Sequence, residues 1–397
     1  MRTAFLTLGS VLLAAALIGT AIIFFGLFNV SARGGHWPAI SWVLHTSYRQ
    51  SVALRAPAAN TVPELDDEDM VALGARHYQL SCAACHGEPG GRQLRTMTAM
   101  LPAPPRIEEA VSEWEPNELF WIIKHGVKMT GMPHWPARDR DDDIWPVVAF
   151  VSRIPRFETG QYRSLLSLEN QPPASASPSL QASDTHLAVI HDCVLCHGQS
   201  GYTDNDHVPR LDILSREYLS ATLKAYRDQQ RSSGIMQQAA SLLDDDTIEV
   251  LAAFYASSQT APRGANISDR DPNGTLTMEE DTTAASVERG RRLATGGAAS
   301  TTADSMPPSG ADIPACNACH GPWPESLSPH YPALASQARQ YLLAQLQLWK
   351  SGTRGGTPMA KLMHESVPEL DYQQMADLSA YYSTLSGTDV TDRSLEK

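Results

Sequence analysis

An uncharged apolar run opens the chain and predicts its first helix. No charged residue occurs between Ala4 and Phe28, which is more than the ~20 residues that a helix needs to span a membrane. Arg2 before the run predicts an N-terminus in the cytoplasm and export of the remainder. A cleaved signal peptide is the alternative, because Val30–Ala32 resembles a cleavage site, although such peptides carry only ~7–15 apolar residues. We favour a retained membrane anchor, which would comprise residues 1–32.

Beyond the anchor, apolar residues recur mainly at helical spacing, and a repeated pattern divides the chain into three units. In the second and third units, Pro209 matches Pro332 at an offset of 123 residues. Extra residues in the third unit then shift the offset to 127, at which Leu251 matches Leu378. No convincing run alternates apolar and polar residues as a half-buried strand does. The pattern therefore predicts an all-α chain of small modules, two of them duplicated.

Each unit is predicted to end in a helix. The segments DDDIWPVVAFV, IEVLAAFYAS and MADLSAYYST carry apolar residues at helical spacing. Pro146 falls in the first turn of the first of these helices, where its missing N–H costs little. Capping residues are predicted at Asp143 in unit one, at Asp246 with Glu249 in unit two, and at Asp371 with Gln374 in unit three.

Segments that are poor in core-forming residues separate the units. Gln171–Ser179 (QPPASASPS) predicts a flexible linker, and Ala294–Gly310 predicts a surface loop inside unit three. The segment after the anchor is rich in Trp, His and Tyr, so it lies either at the membrane interface or against a partner subunit. The predicted division is a juxtamembrane segment at 33–60, unit one at 61–157, a linker at 158–183, unit two at 184–260, a linker at 261–283, and unit three at 284–387.

Charge and cysteine usage narrow the possible functions. The formal net charge of −13 argues against a nucleic-acid partner, because phosphate binding needs a basic face. All six cysteines lie in three CxxCH motifs, so none remains for a separate disulfide framework. Unit two has only about 75 residues, which is near the size below which a hydrophobic core needs additional support. Something besides apolar side chains is therefore expected to complete each core.

The CxxCH motif suits covalent haem attachment. Two thiols one helical turn apart can each form a thioether with the porphyrin, and the adjoining histidine gives its imidazole nitrogen to iron. A thioredoxin-like site would need a βαβ context, and zinc or iron–sulfur centres need four ligands close together. The sequence predicts three covalent haem c groups, attached through Cys82, Cys85, Cys193, Cys196, Cys316 and Cys319 and ligated by His86, His197 and His320.

The second axial ligand of each iron is predicted to be methionine, whose sulfur raises the reduction potential where a second histidine would lower it. Met236 and Met363 occupy matching positions, and Met359 is a rival that loses the shared register. Unit one offers Met132, with Met129 as its rival. Four histidines outside the motifs could compete as ligands and stay unassigned: His134, His191, His330 and His364.

A proline after each motif is expected to orient its histidine. Pro209 and Pro332 lie twelve residues after their motif histidines, where a nearby backbone carbonyl can accept the imidazole N–H and fix the tautomer. In unit one the counterpart stays open among Pro102, Pro104 and Pro105.

Together these motifs resemble the class I cytochrome c family. Each unit has a leading helix, CxxCHG, a methionine loop and a terminal helix. Units two and three, with PRLDILSREYL and YPALASQARQYL, are similar to cytochrome c4 and c553 modules. Unit one, with GARHYQLSCAACHGEPGG and MTGMPHW, resembles modules of membrane-anchored cytochrome subunits that serve periplasmic dehydrogenases or terminal oxidases. The resemblance implies an all-α fold with an N-terminal transmembrane helix followed by three tandem small cytochrome c domains.

The resemblance also implies that a glycine and an aromatic residue on the first helix of each unit pack against its last helix. Gly74 and Tyr78 occupy these positions in unit one, and Gly290 provides the glycine in unit three. Unit two has Thr185 and Val189 instead, so its helix contact is expected to differ.

The predicted function is electron transfer, with iron cycling between Fe(II) and Fe(III), and not catalysis. We expect a tri-haem cytochrome in the inner (cytoplasmic) membrane whose soluble part faces the periplasm. It would relay electrons between a periplasmic dehydrogenase or quinol-oxidising complex and an acceptor such as a terminal oxidase, through redox partners with a basic docking face. The alternatives are a multi-haem peroxidase-like enzyme, which needs an iron with an open or displaceable ligand, and a haem-based sensor.

Overall fold

The regular secondary structure is entirely helical in the residues that the structure describes, which confirms the all-α prediction. This computed structural model describes residues 2–27, 29–157, 160–166, 184–258, 279–297, 313–322 and 327–385. Three 3-10 turns in these ranges are Ala59–Thr61, Asp141–Asp143 and Ile154–Arg156. The α-helices in these ranges are α1 (Arg2–Phe24), α2 (Pro38–Arg55), α3 (Glu68–Ser81), α4 (Ala83–His86), α5 (Arg95–Thr98), α6 (Ile107–Val111), α7 (Pro116–His125), α8 (Trp145–Arg153), α9 (Gln161–Leu166), α10 (Asp184–His197), α11 (Arg216–Arg227), α12 (Gly234–Ala240), α13 (Asp245–Ser257), α14 (Glu279–Gly296), α15 (Asn317–His320), α16 (Arg339–Lys350), α17 (Ala360–Ser366) and α18 (Tyr372–Thr384).

The first helix stands apart from the rest of the molecule. Helix α1 has 23 residues, its most apolar stretch of 18 residues has a mean hydropathy of 2.3, and none of its residues is buried. Its length and composition are sufficient to cross a membrane.

The juxtamembrane segment forms α2, which docks on unit one. Val52 is fully buried, and the ring of Tyr48 meets the ring of Trp114 edge-on at 5.4 Å between centroids. Arg49 pairs with Glu113 at 2.6 Å and also lies over the Trp114 ring. The segment is therefore attached to unit one itself, an arrangement that neither sequence-based alternative anticipated.

The core of unit one forms where α3 crosses α8. A methyl group on Gly74 would lie 1.8 Å from the carbonyl oxygen of Pro146, so only glycine permits this crossing. Tyr78 packs on Phe150 with ring centroids 5.3 Å apart. Both contacts confirm the predicted packing of the first helix on the last.

Unit three repeats this crossing with α14 and α18. A methyl group on Gly290 would lie 2.0 Å from the carbonyl oxygen of Asp377. The core of unit two forms from α10, α11 and α13, and Val189 packs against it in place of an aromatic residue. The side chain of Thr185 lies outside the described residues.

Two of the three capping predictions are wrong, and each error has a local cause. In unit two the cap of α13 is Asp244, which accepts the Thr247 N–H at 2.8 Å, so Asp246 lies in the first turn. Acidic residues are stabilised there by the helix dipole, so either aspartate suits the start of a helix. In unit one Asp143 belongs to a 3-10 turn, and Ile144 precedes α8. The capping box of Asp371 and the first-turn position of Pro146 are confirmed.

The predicted linkers contain helices at their edges. Helix α9 lies within the predicted linker 158–183. It forms part of unit one, because Tyr162 packs against Tyr78 and Phe150 and is buried in the core of that unit. Helix α14 begins at Glu279, inside the predicted linker 261–283. Most of the predicted loop Ala294–Gly310 lies outside the described residues, as does Gln171–Ser179.

Candidate haem-binding sites

Each CxxCH motif forms a helical turn beside the core of its unit. The turns are α4, the last turn of α10, and α15, and the first cysteine of each motif packs against that unit's core. Helical spacing brings the two thiols of a motif to one face of the turn. No two of the six cysteines are joined by a disulfide.

A glycine in a left-handed conformation ends each of these turns. The φ angles are +79° at Gly87, +75° at Gly198 and +61° at Gly321. Residues with a Cβ rarely adopt such angles, so the glycine that follows each histidine turns the chain away immediately after it. The glycine of the CxxCHG motif is therefore explained by the backbone conformation that this position requires.

Every motif histidine contacts a proline carbonyl through its Nδ1 atom. The distances are 2.9 Å from His86 to Pro105, 3.2 Å from His197 to Pro209, and 2.9 Å from His320 to Pro332. A carbonyl oxygen can only accept, so Nδ1 donates the proton and Nε2 keeps the lone pair that a metal needs. The prediction for Pro209 and Pro332 is confirmed, and the open choice in unit one resolves to Pro105.

Burial keeps two of these histidines neutral. It lowers the pKa of His197 to about 4 and also lowers the pKa of His320. An imidazole binds a metal in its neutral form, so these rings are ready to act as ligands.

The same burial stabilises the protonated thiols. It raises the pKa of Cys82 and Cys193 to about 12 and that of Cys196 and Cys316 to about 11. An apolar environment of this kind suits sulfur atoms held as neutral thioethers.

Two of the predicted methionines pack on the cores of their units. Met236 packs on the unit-two core that also contacts Cys193, and Met363 packs on the unit-three core that also contacts Cys316. Met359, by contrast, immediately precedes α17 and does not pack against the unit-three core.

In unit one the two candidate methionines differ in exposure. Met132 is half-buried, and its backbone is held by a hydrogen bond from the Val127 N–H and by one to Thr130. The side chain of Met129 is 91% exposed. This difference favours Met132 over its rival.

Three of the four histidines that could compete as iron ligands contact other groups or are exposed to solvent. Nδ1 of His134 lies 2.8 Å from the carbonyl of Trp135, His364 packs edge-on against Trp349, and His330 is exposed. The side chain of His191 lies outside the described residues.

The donor set fits haem better than it fits a bare metal ion. Among the described residues, no three of the His, Cys, Asp and Glu side chains converge on a point where they could hold an ion. A structural zinc needs four such donors, whereas a haem iron takes four nitrogens from its own porphyrin and needs only one or two from the protein.

Sequence reasoning missed the contacts that join the units. Units two and three meet through Gln337, which accepts from the Arg210 N–H at 2.7 Å and donates to its carbonyl at 3.1 Å. Arg354 lies over Trp349 and donates to the hydroxyl of Tyr218 across the same junction. The repeat alignment contained a signal for this, because Arg231 occupies the equivalent position and lies over Tyr226.

A second junction joins units one and two. A methyl group on Gly234 would lie 2.2 Å from the Trp135 indole, so α12 begins directly against unit one. Asp143 accepts from the Gly234 N–H at 2.9 Å and from the Ser233 hydroxyl at 3.1 Å. The carboxylate that was predicted to cap α8 therefore holds unit two instead.

CxxCH turns beside small helical cores, each with its histidine oriented by a carbonyl, define the class of multi-haem c-type cytochromes. The family model described as cytochrome C oxidase, cbb3-type, subunit III matches residues 57–151. The thiosulfate dehydrogenase electron acceptor of Stutzerimonas stutzeri is 32% identical over 201 residues, which are 50% of this chain and 81% of that protein. The corresponding protein of Thiomonas intermedia is 31% identical over 173 residues, 43% of this chain and 68% of that one.

Cytochrome c-552 of Acidithiobacillus ferridurans is 28% identical over 229 residues, 56% of this chain and 86% of that protein. Among solved structures, the cytochrome c4 of Acidithiobacillus ferrooxidans aligns at 29% identity with a TM-score of 0.38, covering 49% of this chain and 99% of that one. The chain belongs to the cytochrome c family and carries covalent haem c. Its relatives are electron-carrying cytochromes or cytochrome subunits of enzymes, so it is an electron-transfer protein, and the peroxidase alternative is not favoured.

Proposed function

We propose that the protein is a tri-haem electron carrier with one haem c in each unit. The observation that carries the proposal is the same histidine-to-proline contact at all three motifs. Attachment is assigned to Cys82, Cys85, Cys193, Cys196, Cys316 and Cys319, and axial ligation to His86 with Met132, His197 with Met236, and His320 with Met363. The unit borders are proposed at 61–157, 184–260 and 284–387, extended by α9 and by the start of α14.

The protein residues would hold and shield the cofactor, and bound haem iron supplies the one-electron chemistry. The cysteines fix one edge of the ring, and the proline carbonyl keeps each histidine in the tautomer that leaves Nε2 unprotonated. A methionine sulfur as the second protein ligand would favour a high reduction potential, and the apolar cores would limit access of water.

We also propose a place for the protein in the cell. Helix α1 would anchor it in the inner membrane, with the units in the periplasm. The exposed rings of Trp37 and Trp42 on or next to α2 suit the membrane interface, where amphipathic aromatics are favoured.

The names of the relatives suggest the kind of partner. Two of them are electron acceptors of a thiosulfate dehydrogenase, which supports a periplasmic dehydrogenase as the electron donor here. The downstream acceptor would be a second redox protein such as a terminal oxidase. The net charge of −13 suits small, transient docking to a basic face.

A redox titration of the full chain in detergent tests the proposed function. We expect the chain to take up three electrons in total, because each unit provides its own ligand set. Uptake of fewer than three electrons per chain would contradict the proposal. Mixing the reduced protein with peroxide is expected to give no sustained turnover, and turnover would instead support the peroxidase-like alternative.

A further inference from the structure

Helix α3 of unit one has a second face, which is directed at the haem-attachment motif of unit two. Leu73 and Leu80 on this face cluster with Cys196 and Val208 of unit two. Arg76 follows Leu73 by three residues and precedes Leu80 by four, so it lies on the same face of the helix. The helix therefore brings a cation from one unit to the attachment site of the next.

Arg76 is unusual for a buried arginine. Its exposed fraction is only 8%, and within the described part of the chain its Nε and Nη1 atoms have no hydrogen-bond partner. Buried charges are normally paired, because an unpaired one loses its hydration without compensation. Retention of this cation therefore calls for an explanation beyond packing.

The charge of Arg76 lies beside the unit-two motif, because the face of α3 that carries it packs on Cys196, the residue before His197. A fixed cation opposes the addition of further positive charge at a nearby site.

The corresponding position in unit three is different. Counted from the glycine at the helix crossing, Arg292 matches Arg76, since Gly290 matches Gly74. Arg292 is exposed and pairs with Glu288 at 2.8 Å. At the matching position in unit two the residue is Leu187, which carries no charge. A buried cation at this point of the first helix is thus specific to unit one.

We propose that Arg76 is a positioning residue that stabilises the reduced state of the unit-two haem, and so directs electrons from unit one to unit two. The inference rests on the three-haem function proposed above. Oxidation of iron from Fe(II) to Fe(III) adds one positive charge, and the fixed guanidinium opposes that addition. One electron moves between the two irons in this step, and no bond or proton is transferred.

The substitution Arg76→Gln tests this inference in the intact protein. One of the three redox steps should shift so that its ferrous-to-ferric ratio at fixed potential falls about tenfold, which corresponds to about 59 mV for one electron. The shifted step should be the one that is displaced in Met236→Ala. Arg76→Lys should restore most of the shift, because it keeps the charge.

The matched control is Arg292→Gln, which removes the same charge from an exposed, paired position. In this variant the ferrous-to-ferric ratio of each haem at fixed potential should change by no more than about twofold. Unchanged steps in Arg76→Gln would overturn the inference, as would an Arg76→Lys variant that shifts as far as the glutamine variant. If Arg76→Gln does not accumulate, Arg76→Met keeps the apolar stem and gives the same comparison. A wild-type protein that takes up fewer than three electrons per chain would contradict the proposed function itself, whereas an unchanged titration curve in Arg76→Gln would contradict only the role of Arg76.

Discussion

Replacing Met236 with alanine is expected to abolish the near-infrared sulfur-to-iron band of one haem while that haem stays covalently bound. The band should lose about one third of its intensity, because one of three methionine ligands is removed. The potential of the same haem should fall by well over the ~59 mV that marks a tenfold change for one electron. Absorption spectra and a redox titration of the oxidised protein measure both effects.

The two candidate methionines of unit three provide matched controls. Met363 packs on the core that contacts Cys316, whereas Met359 does not. We expect Met363→Ala to remove a second third of the band and Met359→Ala to leave it intact. In unit one, Met132→Ala should act and Met129→Ala should not, since the Met129 side chain is 91% exposed. An unchanged band in Met236→Ala would show that the ligand assignment is wrong.

Changing Cys316 and Cys319 together to alanine is expected to lower the covalent haem count from three to two. Both thioether bonds of unit three are lost, and a histidine alone provides no covalent attachment. The same pair of changes at Cys193 and Cys196 should also remove one haem. The variant that combines both pairs should retain a single haem, since attachment sites on separate units are expected to behave independently. Haem bound to the denatured chain provides the measurement, and an unchanged count in the first variant would exclude unit three as a haem domain.

The parts of the site that could be predicted from the sequence are those that occur in repeated copies or that depend only on residues close together in the chain. Pro209 and Pro332 were identifiable because two aligned copies placed them at the same distance from their histidines. Pro105 had no aligned copy, and Pro102 and Pro104 were equally suitable by their position in the sequence. Its carbonyl reaches His86 through the course of a loop, which local spacing does not determine.

The contacts that Asp143 and Asp206 make between units could not be predicted, because no short-range pattern encodes them. Asp143 looked like a helix cap, since an aspartate before an apolar helix usually is one. Its carboxylate instead accepts from Gly234 and Ser233, about ninety residues further along the chain. Asp206 behaves in the same way, since it accepts from the N–H of Arg339 and of Gln340 in unit three.

Helix α9 is a second feature that could not be predicted from the sequence. Tyr162 lies shortly before the Pro- and Ser-rich run Gln171–Ser179, and the whole of 158–183 was predicted to be a linker. The tyrosine is buried because Tyr78 and Phe150 leave an apolar surface that its ring covers. Burial of that ring depends on the core of unit one, against which Leu165 and Leu166 of the same helix also pack.

Denaturation in acid acetone, followed by measurement of the intact mass, tests whether three haem groups are bonded to this polypeptide. The pigment is expected to precipitate with the chain, and the measured mass is expected to exceed the polypeptide mass by three haems. A colourless chain at the polypeptide mass, with the pigment left in solution, would contradict this expectation.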